Sequence, residues 1–487
     1  MRKSPLLQQV FDYRALPESD RFKQFALKME AHNLPPIVIN IFKYYYSLLL
    51  SGSQGKMAEA EITPISPDDL KDYLELDAYE AAGRKALPKV AIIKLNGGLG
   101  TSMGLETAKS LLAIKAETCF LDVIIEQVER LRERYDIPVP LTLMNSFHTH
   151  SDSMLAIEGF DNGRTRVPLA FIQHMYPKIM RDTFLPARWP KNPELEWNPP
   201  GHGDLYTAMV TSKTLKRLEE SGFEYAFISN SDNLGAVMDL KILGYMASED
   251  LPFLMEVAQR TPADKKGGHL CKVKDSGRLA LREVAQCPDE ELAEFQNIEK
   301  YAFFNTNSIW INLKVLEKVF AYHGMMPLDL IANHKTLDPR DPDSPPVIQV
   351  ETAMGSAISA FHTAAAVRVP RTRFAPVKTS NDLLNVMSDN FILSTDYEIV
   401  LNPERNRSPV LVDLDPTFYK NVDDFQARFS EGVPSMLNCT TFTVRGDVRF
   451  KGGVACRGNV LVENRTGHQV VVGPEDLAEE NARLVLE

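Results

Sequence analysis

From about residue 87 onward, apolar runs of strand length alternate with longer helical patterns, and this alternation limits the possible fold more than any other feature of the sequence. The clearest helical patterns cover 120–135 and 211–221. Repetition of strand, helix and strand predicts an α/β fold with a mostly parallel sheet that is covered on both faces. The predicted strands are 90–95, 141–144, 167–173, 224–229, 253–257 and 308–313.

The regions on either side of this α/β segment have a different character. Residues 1–86 contain helix formers with apolar positions at three- and four-residue steps, as in 20–32 and 68–80, which predicts a mainly helical region. Within the α/β segment, two alternating runs in 269–286 predict an inserted hairpin. After residue 389 the helical patterns fade, and Val-rich runs in 442–473 predict short stacked strands, as in a β-solenoid.

The composition excludes several functional classes. The 487 residues have a formal net charge of −11, which argues against a protein that coats nucleic acid or an anionic membrane. Five widely spaced cysteines without a CxxC pair favour a reducing compartment over a disulfide framework or a zinc site. Gln8, Gln9 and Asp12 interrupt the N-terminal apolar stretch, and Lys43 interrupts the apolar segment 38–50. We therefore expect a soluble cytoplasmic protein.

A glycine-rich turn follows the first predicted strand of the sheet. It reads LNGGLGTSMG, and Lys109 follows it just inside the next helical pattern. Successive backbone N–H groups in such a turn can cradle phosphate oxygens, and a nearby ammonium group adds positive charge. The spacing matches neither GxGxxG nor GxxxxGK[ST]. The sequence therefore predicts a phosphate-binding loop of another kind, built on Gly97, Gly98, Gly100 and Gly104.

The loop LNGGLGTSMG with the following AKS resembles the nucleotide loop of the eukaryotic-type UTP–glucose-1-phosphate uridylyltransferases, also called UDP-glucose pyrophosphorylases. Further motifs of that family follow in order, and they are MNSF at 144–147, PPGHGDLY at 199–206, SNSDNLG at 229–235, FNTNSIW at 304–310 and RFAPVKTSNDLL at 373–384. The resemblance implies a Rossmann-like, GT-A-like catalytic nucleotidyltransferase domain at 87–388. It also implies a left-handed β-helix-like domain at 389–487, which is a candidate contact for a homo-oligomer.

The resemblance also implies roles for individual residues. Lys109 and Lys378 are the implied catalytic ammonium groups, and Asp232 is the implied ligand of Mg²⁺. The implied nucleotide-binding residues are Leu95, Asn96, Gly97, Gly98, Gly100, Thr101, Met144, Gln173, Gly201, His202 and Gly203. The implied sugar-binding residues are Asp232, Gly268, Glu283, Asn307 and Phe374.

The reaction implied by the resemblance is the reversible, Mg²⁺-dependent condensation of UTP with glucose 1-phosphate to UDP-glucose and pyrophosphate. A sugar-phosphate oxygen would attack the α-phosphorus in line, and no general base is required because the attacking phosphate is already anionic. Two alternatives stay open. The sugar could be an N-acetylhexosamine or several sugars, since His269 and Ser308 depart from the family's usual KGGT and NTNN. The chain could also be a non-catalytic sensor of nucleotide sugars.

Overall fold

The computed structural model describes residues 20–115, 117–163, 165–405 and 408–487. At its centre is an 11-stranded sheet. The N-terminal stretch with Gln8, Gln9 and Asp12 lies outside the described residues. In chain order the sheet consists of β1 (Ile62–Pro64), β2 (Lys71–Asp72), β3 (Val90–Asn96), β4 (Leu141–Asn145), β5 (Ala170–Ile172), β6 (Tyr225–Asn230), β7 (Phe253–Gln259), β8 (His269–Val273), β9 (Leu279–Arg282), β10 (Phe303–Asn312) and β11 (Ala365–Arg368).

The central sheet is mostly parallel, as predicted. Its main strand order is β2-β11-β7-β10-β6-β3-β4-β5, and only β10 runs antiparallel to its neighbours along this path. The predicted hairpin is present as β8 and β9, and β8 also pairs with β1 and β10. This hairpin is inserted in the chain before β10, the strand that is reversed along the main path.

Helices cover the sheet on both faces, which confirms the predicted layering. Side chains of β3 alternate between two apolar clusters, with Ala91 and Ile93 in one and Val90 and Ile92 in the other. The helices of the described residues are α1 (Asp20–Ala31), α2 (Pro36–Leu50), α3 (Glu80–Ala86), α4 (Phe120–Tyr135), α5 (His150–Ala156), α6 (Leu205–Thr211), α7 (Thr214–Glu220), α8 (Leu240–Ser248), α9 (Leu292–Phe295), α10 (Leu313–His323), α11 (Ser380–Met387), α12 (Pro416–Tyr419) and α13 (Val422–Arg428).

Two predicted helices differ from the structure. The pattern at 211–221 forms parts of α6 and α7, because Lys213 adopts a left-handed conformation with φ of 63° between them. The predicted helix over 68–80 is wrong: short 3₁₀ turns and strand β2 occupy most of it, and α3 begins only at Glu80. The Asp72 carboxylate accepts a hydrogen bond from the Leu74 N–H, a local bond of the kind that competes with helix formation.

Two parallel sheets form most of the C-terminal region, together with helices α12 and α13 and the antiparallel pair of strands Phe391–Leu393 and Ile399–Leu401. The first has the order β12 (Leu411–Leu414), β13 (Ser435–Arg445), β15 (Ala455–Asn464) and β17 (Arg483–Leu486), and the second pairs β14 (Val448–Phe450) with β16 (Val470–Val472). Their apolar core also contains Val377 and Leu383 from the preceding α/β region. The C-terminal region therefore packs directly against the segment that carries Lys378.

Outside these sheets, shorter strands form small pairs and one three-stranded sheet. They are Ala113–Lys115, Thr118–Cys119, Tyr176–Pro177, Ile179–Met180, Trp197–Asn198, Ile331–Thr336, Pro346–Glu351, Phe391–Leu393 and Ile399–Leu401. All five cysteines are buried. A search of the described part of the chain finds no helix with the length and apolar character needed to cross a membrane.

Candidate active site

The carboxyl ends of neighbouring parallel strands form one edge of the central sheet. Leu95 of β3 lies beside Met144 of β4 and beside Asn230 of β6, so the segments after all three strands begin at the same edge. Ligands of open α/β sheets bind at such an edge. The side chains of Leu95 and Met144 are buried, and both pack in the apolar core beneath this edge.

The glycine loop leaves this edge in a compact turn. Gly100 and Gly104 have φ values of 66° and 75°, a region that glycine enters without steric cost, and a 3₁₀ turn that includes Thr101 lies between them. The N–H of Lys109 donates to the carbonyl oxygen of Gly98 at 3.2 Å, which closes the loop. The predicted helix after the loop is wrong, because Lys109 begins a single 3₁₀ turn and the chain then continues as a strand.

Lys109 and Asp232 form an ion pair beside this loop. The Lys109 Nζ lies 2.6 Å from Asp232 Oδ2, and the two side chains are 13% and 21% exposed. Asp232 follows β6 and its carbonyl oxygen accepts a hydrogen bond of 3.1 Å from the N–H of Val377. Lys378 is the next residue, so the segments carrying all three predicted charged groups meet beside the glycine loop.

The predicted base-reading residues also come together. Gln173 follows β5, and its N–H donates to the carbonyl oxygen of Asn145 at 2.8 Å. Its side-chain amide lies against the glycine loop so closely that a Cβ on Gly97 would be 2.9 Å from Gln173 Nε2. Asn96 donates through Nδ2 to Asn145 Oδ1 at 2.8 Å. This network joins the ends of β3, β4 and β5 around the Gln173 amide.

The loop with Gly201, His202 and Gly203 lies near Gln173, because the N–H of the next residue, His174, donates to Asp204 at 2.6 Å. Gly201 has a φ of 76°, and the Gly203 N–H donates to the carbonyl oxygen of Thr352 at 2.9 Å. His202 Nδ1 accepts a hydrogen bond of 2.9 Å from the N–H of Met354. Burial lowers the pKa of His202 to about 4. The imidazole is therefore neutral with its proton on Nε2, which makes it a hydrogen-bond donor at that atom.

Gly268 and Glu283, two of the predicted sugar-binding residues, meet at the open end of the hairpin. A Cβ on Gly268 would lie 2.5 Å from Glu283 Oε2, so the absence of a side chain makes room for this carboxyl. Burial raises the pKa of Glu283 to about 6, and the positive charge of Lys378 opposes that effect. Asn305, which the sequence did not single out, accepts the N–H of Asn307 and donates to its side-chain oxygen at 2.8 Å.

Asn307 has an unusual backbone conformation for a strand residue. Its φ is 58°, and the pairing of β10 with β7 shifts register between Glu256 and Val257, opposite this point. Asparagine tolerates the left-handed region better than most residues, and bulges commonly direct side chains into functional sites. The bulge therefore explains why asparagine occupies this position.

Phe374 links the sugar-binding cluster to Lys378. The Lys378 Nζ lies 5.6 Å from the centroid of the Phe374 ring, and Phe304 packs edge-on against the same ring at 4.8 Å between centroids. Val377, the neighbour of Lys378, contacts Asp232, and the positive charge of Lys378 acts on the pKa of Glu283. Lys378 therefore lies between these two carboxyl groups.

The two departures from the family's sugar motifs face the protein interior. His269 is fully buried and stacks on Tyr301 with 3.8 Å between ring centroids, and Phe295 packs against its ring. Successive strand residues point to opposite faces, so His269 points away from the side that Gly268 shares with Glu283. Ser308 is also fully buried. His269 therefore lies behind the candidate sugar site, and Ser308 belongs to the protein interior.

Comparison with known proteins agrees with this geometry. The sequence profile of the family described as UTP–glucose-1-phosphate uridylyltransferase matches residues 39–457. This chain belongs to that family. A uridylyltransferase of this name from Hordeum vulgare is 40% identical over 417 residues, which cover 83% of this chain and 85% of the relative, and one from Saccharomyces cerevisiae is 38% identical over 431 residues, 88% and 84% of the two chains.

Solved structures of similar proteins have the same fold. A UDP-glucose phosphorylase from Trypanosoma brucei superimposes with a TM-score of 0.86 at 40% identity, covering 96% of this chain and 100% of that one. A variant UDP-glucose pyrophosphorylase from Leishmania major, solved in complex with UDP-glucose, gives 0.86 at 39% identity, with 96% and 99% covered. The mostly parallel α/β architecture is thus shared with structures of the uridylyltransferase family.

The donor set suits a magnesium ion of the kind this family resemblance implies. Asp232 Oδ1 is buried and, within the described part of the molecule, has no hydrogen-bond partner. No cluster of three or more His, Cys, Asp or Glu side chains is placed to hold a metal among the described residues. A single free carboxylate oxygen fits Mg²⁺, because this ion takes its other ligands from water and substrate phosphates.

Proposed function

We propose that this chain condenses UTP with glucose 1-phosphate to form UDP-glucose and pyrophosphate. The observation that carries the proposal is the convergence of Lys109, Asp232 and the Val377–Lys378 segment beside the glycine loop, in a chain of the uridylyltransferase family. Bringing two polyanions together requires cations and N–H donors at one point, and these residues supply them.

The reaction follows from positioning and charge neutralisation. One oxygen of the sugar phosphate forms a bond to the α-phosphorus of UTP, and the bond from that phosphorus to the bridging oxygen of pyrophosphate breaks. The attacking oxygen is already anionic, so no side chain needs to remove a proton. Lys109 and the loop N–H groups would hold the leaving pyrophosphate, and Lys378 would face the α-phosphate and the sugar phosphate.

We further propose that Mg²⁺ is required and that Asp232 holds it. The buried Asp232 Oδ1, which has no hydrogen-bond partner among the described residues, supports this proposal. When bound, the ion would neutralise charge on the two substrates. On this proposal Lys109 exchanges its contact with Asp232 for the phosphates of UTP, since both partners are anionic oxygens.

Glucose is the proposed sugar. Glu283 and Asn307 offer a carboxyl and an amide to hydroxyl groups, and these types of side chain pair well with sugars. The inward orientation of His269 supports glucose over the alternatives, because its departure from the family pattern leaves the Gly268 and Glu283 side unaltered. A non-catalytic sensor has no specific observation in its favour, since both lysines and Asp232 are in place.

A substrate panel tests the proposal. We expect pyrophosphate release only when UTP, a sugar 1-phosphate and Mg²⁺ are all present, with the largest kcat/KM for UTP and glucose 1-phosphate. CTP, TTP and ATP serve as the nucleotide controls, and galactose and N-acetylglucosamine 1-phosphates serve as the sugar controls. UDP-glucose binding without turnover in any combination would instead establish the sensor, and a preference for N-acetylglucosamine would overturn the choice of sugar.

The variant Gly98→Ala tests whether UTP binds next to the glycine loop. Apart from Gly98 itself and its two chain neighbours, no atom of the described residues lies within 4 Å of a Cβ placed on Gly98, so the variant should fold with an unchanged Tm. We expect the KM for UTP to rise roughly tenfold, about 1.4 kcal/mol, because the methyl group occupies space next to the bound phosphates. Steady-state kinetics with varied UTP measure the effect. An unchanged KM would place the nucleotide elsewhere.

The C-terminal region supports a smaller proposal. Parallel pairing throughout its two sheets supports a short β-solenoid, and Leu411, which is 72% exposed on an edge strand, supports a contact between copies of the chain. The burial of all five thiols supports the expected reducing, cytoplasmic setting.

A further inference from the structure

We propose that His174 and Asp204 form a positioning pair that sets the geometry of the uracil-reading part of the site. The inference rests on the proposed function, because it concerns how UTP is distinguished from other nucleotides. Neither residue was singled out by the sequence analysis, although each is adjacent to a residue that was. His174 follows Gln173, and Asp204 follows Gly203.

The pair joins two segments that are far apart in the chain. Asp204 Oδ2 accepts the backbone N–H of His174 at 2.6 Å, and His174 Nδ1 lies 2.9 Å from Oδ1 of the same carboxylate. The two side chains are 8% and 1% exposed. A buried carboxylate requires donors, and here one residue supplies both a backbone and a side-chain donor.

The chemistry of the carboxylate fixes the orientation of the imidazole. An ionised carboxylate can only accept, so Nδ1 of His174 carries a proton. The other ring nitrogen, Nε2, lies 3.0 Å from the hydroxyl oxygen of Thr211 at the end of helix α6. Asp204 immediately precedes the same helix. His174 thus contacts both ends of α6, the helix that follows the loop with Gly201, His202 and Gly203.

The location of the pair relates it to nucleotide specificity. On one side, the Gln173 amide lies against Gly97. On the other side, the loop that ends at Asp204 carries His202, whose Nε2 bears a proton. Because a displacement of about 1 Å can cost 10²-fold in rate, a rigid link between these two groups fixes their spacing around the base. His174 and Asp204 act through Gln173 and His202 and are therefore positioning residues.

The test compares three variants of the full chain. His174→Ala removes the side-chain donor, and His174→Asn keeps a donor of similar reach to Asp204. Thr211→Val removes only the outer hydrogen bond and is the matched control. For each variant, Tm, kcat, the KM for UTP, the KM for glucose 1-phosphate and the ratio of kcat/KM for UTP over CTP are measured.

For His174→Ala we expect a KM for UTP raised about tenfold and a lowered preference for UTP over CTP, with the KM for glucose 1-phosphate within about twofold of the native value. His174→Asn should recover most of the UTP affinity, and Thr211→Val should stay near native. A merely structural pair would lower the active fraction and leave both KM values and the nucleotide ratio unchanged, and this result would overturn the proposal.

Two further outcomes are also decisive. If His174→Ala does not fold, His174→Phe keeps the ring volume and removes the donor, and the proposal stands if this folded variant has a lowered preference for UTP over CTP and falls if that preference is native. If the native chain has no turnover, the proposed function fails, and calorimetric titration with UTP then tests the pair alone. Equal UTP affinity for native and His174→Ala proteins in that titration would overturn it.

Discussion

Lys109→Ala should lower kcat by about 10²–10³ with a small change in Tm, because it removes one preorganised cationic donor from the reacting phosphates. Lys109 Nζ is 2.6 Å from Asp232 Oδ2 and sits beside the glycine loop that its own N–H closes. The alanine variant keeps that backbone hydrogen bond. The loss should therefore fall on the chemical step. Pyrophosphate release by purified, folded enzyme at saturating UTP and glucose 1-phosphate measures it.

The matched control for this prediction is Lys314→Ala. Lys314 also forms an ion pair, 2.7 Å from Glu224, but its side chain is 61% exposed and far from the loop in the fold. Exposed pairs of this kind contribute about 0–1 kcal/mol to stability, so kcat and Tm should both stay near native. If Lys109→Ala turned over as fast as Lys314→Ala, Lys109 would have no role in the reaction.

Arg373→Met should lower the free energy of unfolding by about 3–5 kcal/mol, since it leaves a buried carboxylate without its cation. Glu256 is fully buried and accepts hydrogen bonds from Arg373 Nε at 2.7 Å and Nη2 at 2.8 Å. Trp310 Nε1 also donates to Glu256, at 3.0 Å. Trp310 cannot neutralise the charge, so the carboxylate remains costly in the variant. Urea unfolding followed by tryptophan fluorescence measures the difference.

Two comparisons identify the cause of that loss. The double variant Arg373→Met, Glu256→Gln removes the unpaired charge, so it should recover a substantial part of the lost stability. Arg130→Met breaks an exposed pair with Glu133 and should change stability by less than about 1 kcal/mol. If Arg373→Met and Arg130→Met had the same free energy of unfolding, burial would not increase the contribution of the Arg373–Glu256 pair to stability.

This buried pair also bears on the active site. The carbonyl oxygen of Arg373 accepts the Asn233 side-chain N–H at 3.2 Å, and Asn233 Oδ1 accepts the Ala375 N–H at 2.9 Å. Asn233 is the neighbour of Asp232. The segment that leads to Lys378 is therefore fixed to the Asp232 turn by contacts that depend on the position of Arg373, and we expect Arg373→Met to lose activity as well as stability.

Local sequence patterns predicted a helix or strand correctly where the residues of that element alone determine its conformation. The helix at 120–135 and the strands β3, β4 and β6 lie close to their predicted positions, because their apolar residues recur at the period of the element and both faces of the sheet are buried. The predicted helices at 68–80 and after Lys109 are absent. In the first, the Asp72 side chain accepts the Leu74 N–H, and in the second, the Lys109 N–H donates to the Gly98 carbonyl oxygen before the chain pairs as a strand.

The amino-acid sequence by itself was sufficient for the α/β fold class, because apolar periodicity is local and survives in a linear reading, and for the family, because its ordered motifs resemble those of the uridylyltransferases. Only the tertiary structure decided which groups meet. The contact of Lys109 with Asp232 spans 123 positions and that of His174 with Asp204 spans 30, and neither leaves a periodic signal in the chain. Partners of this kind are selected by the crossover of parallel strands, which brings remote loops to one edge of the sheet.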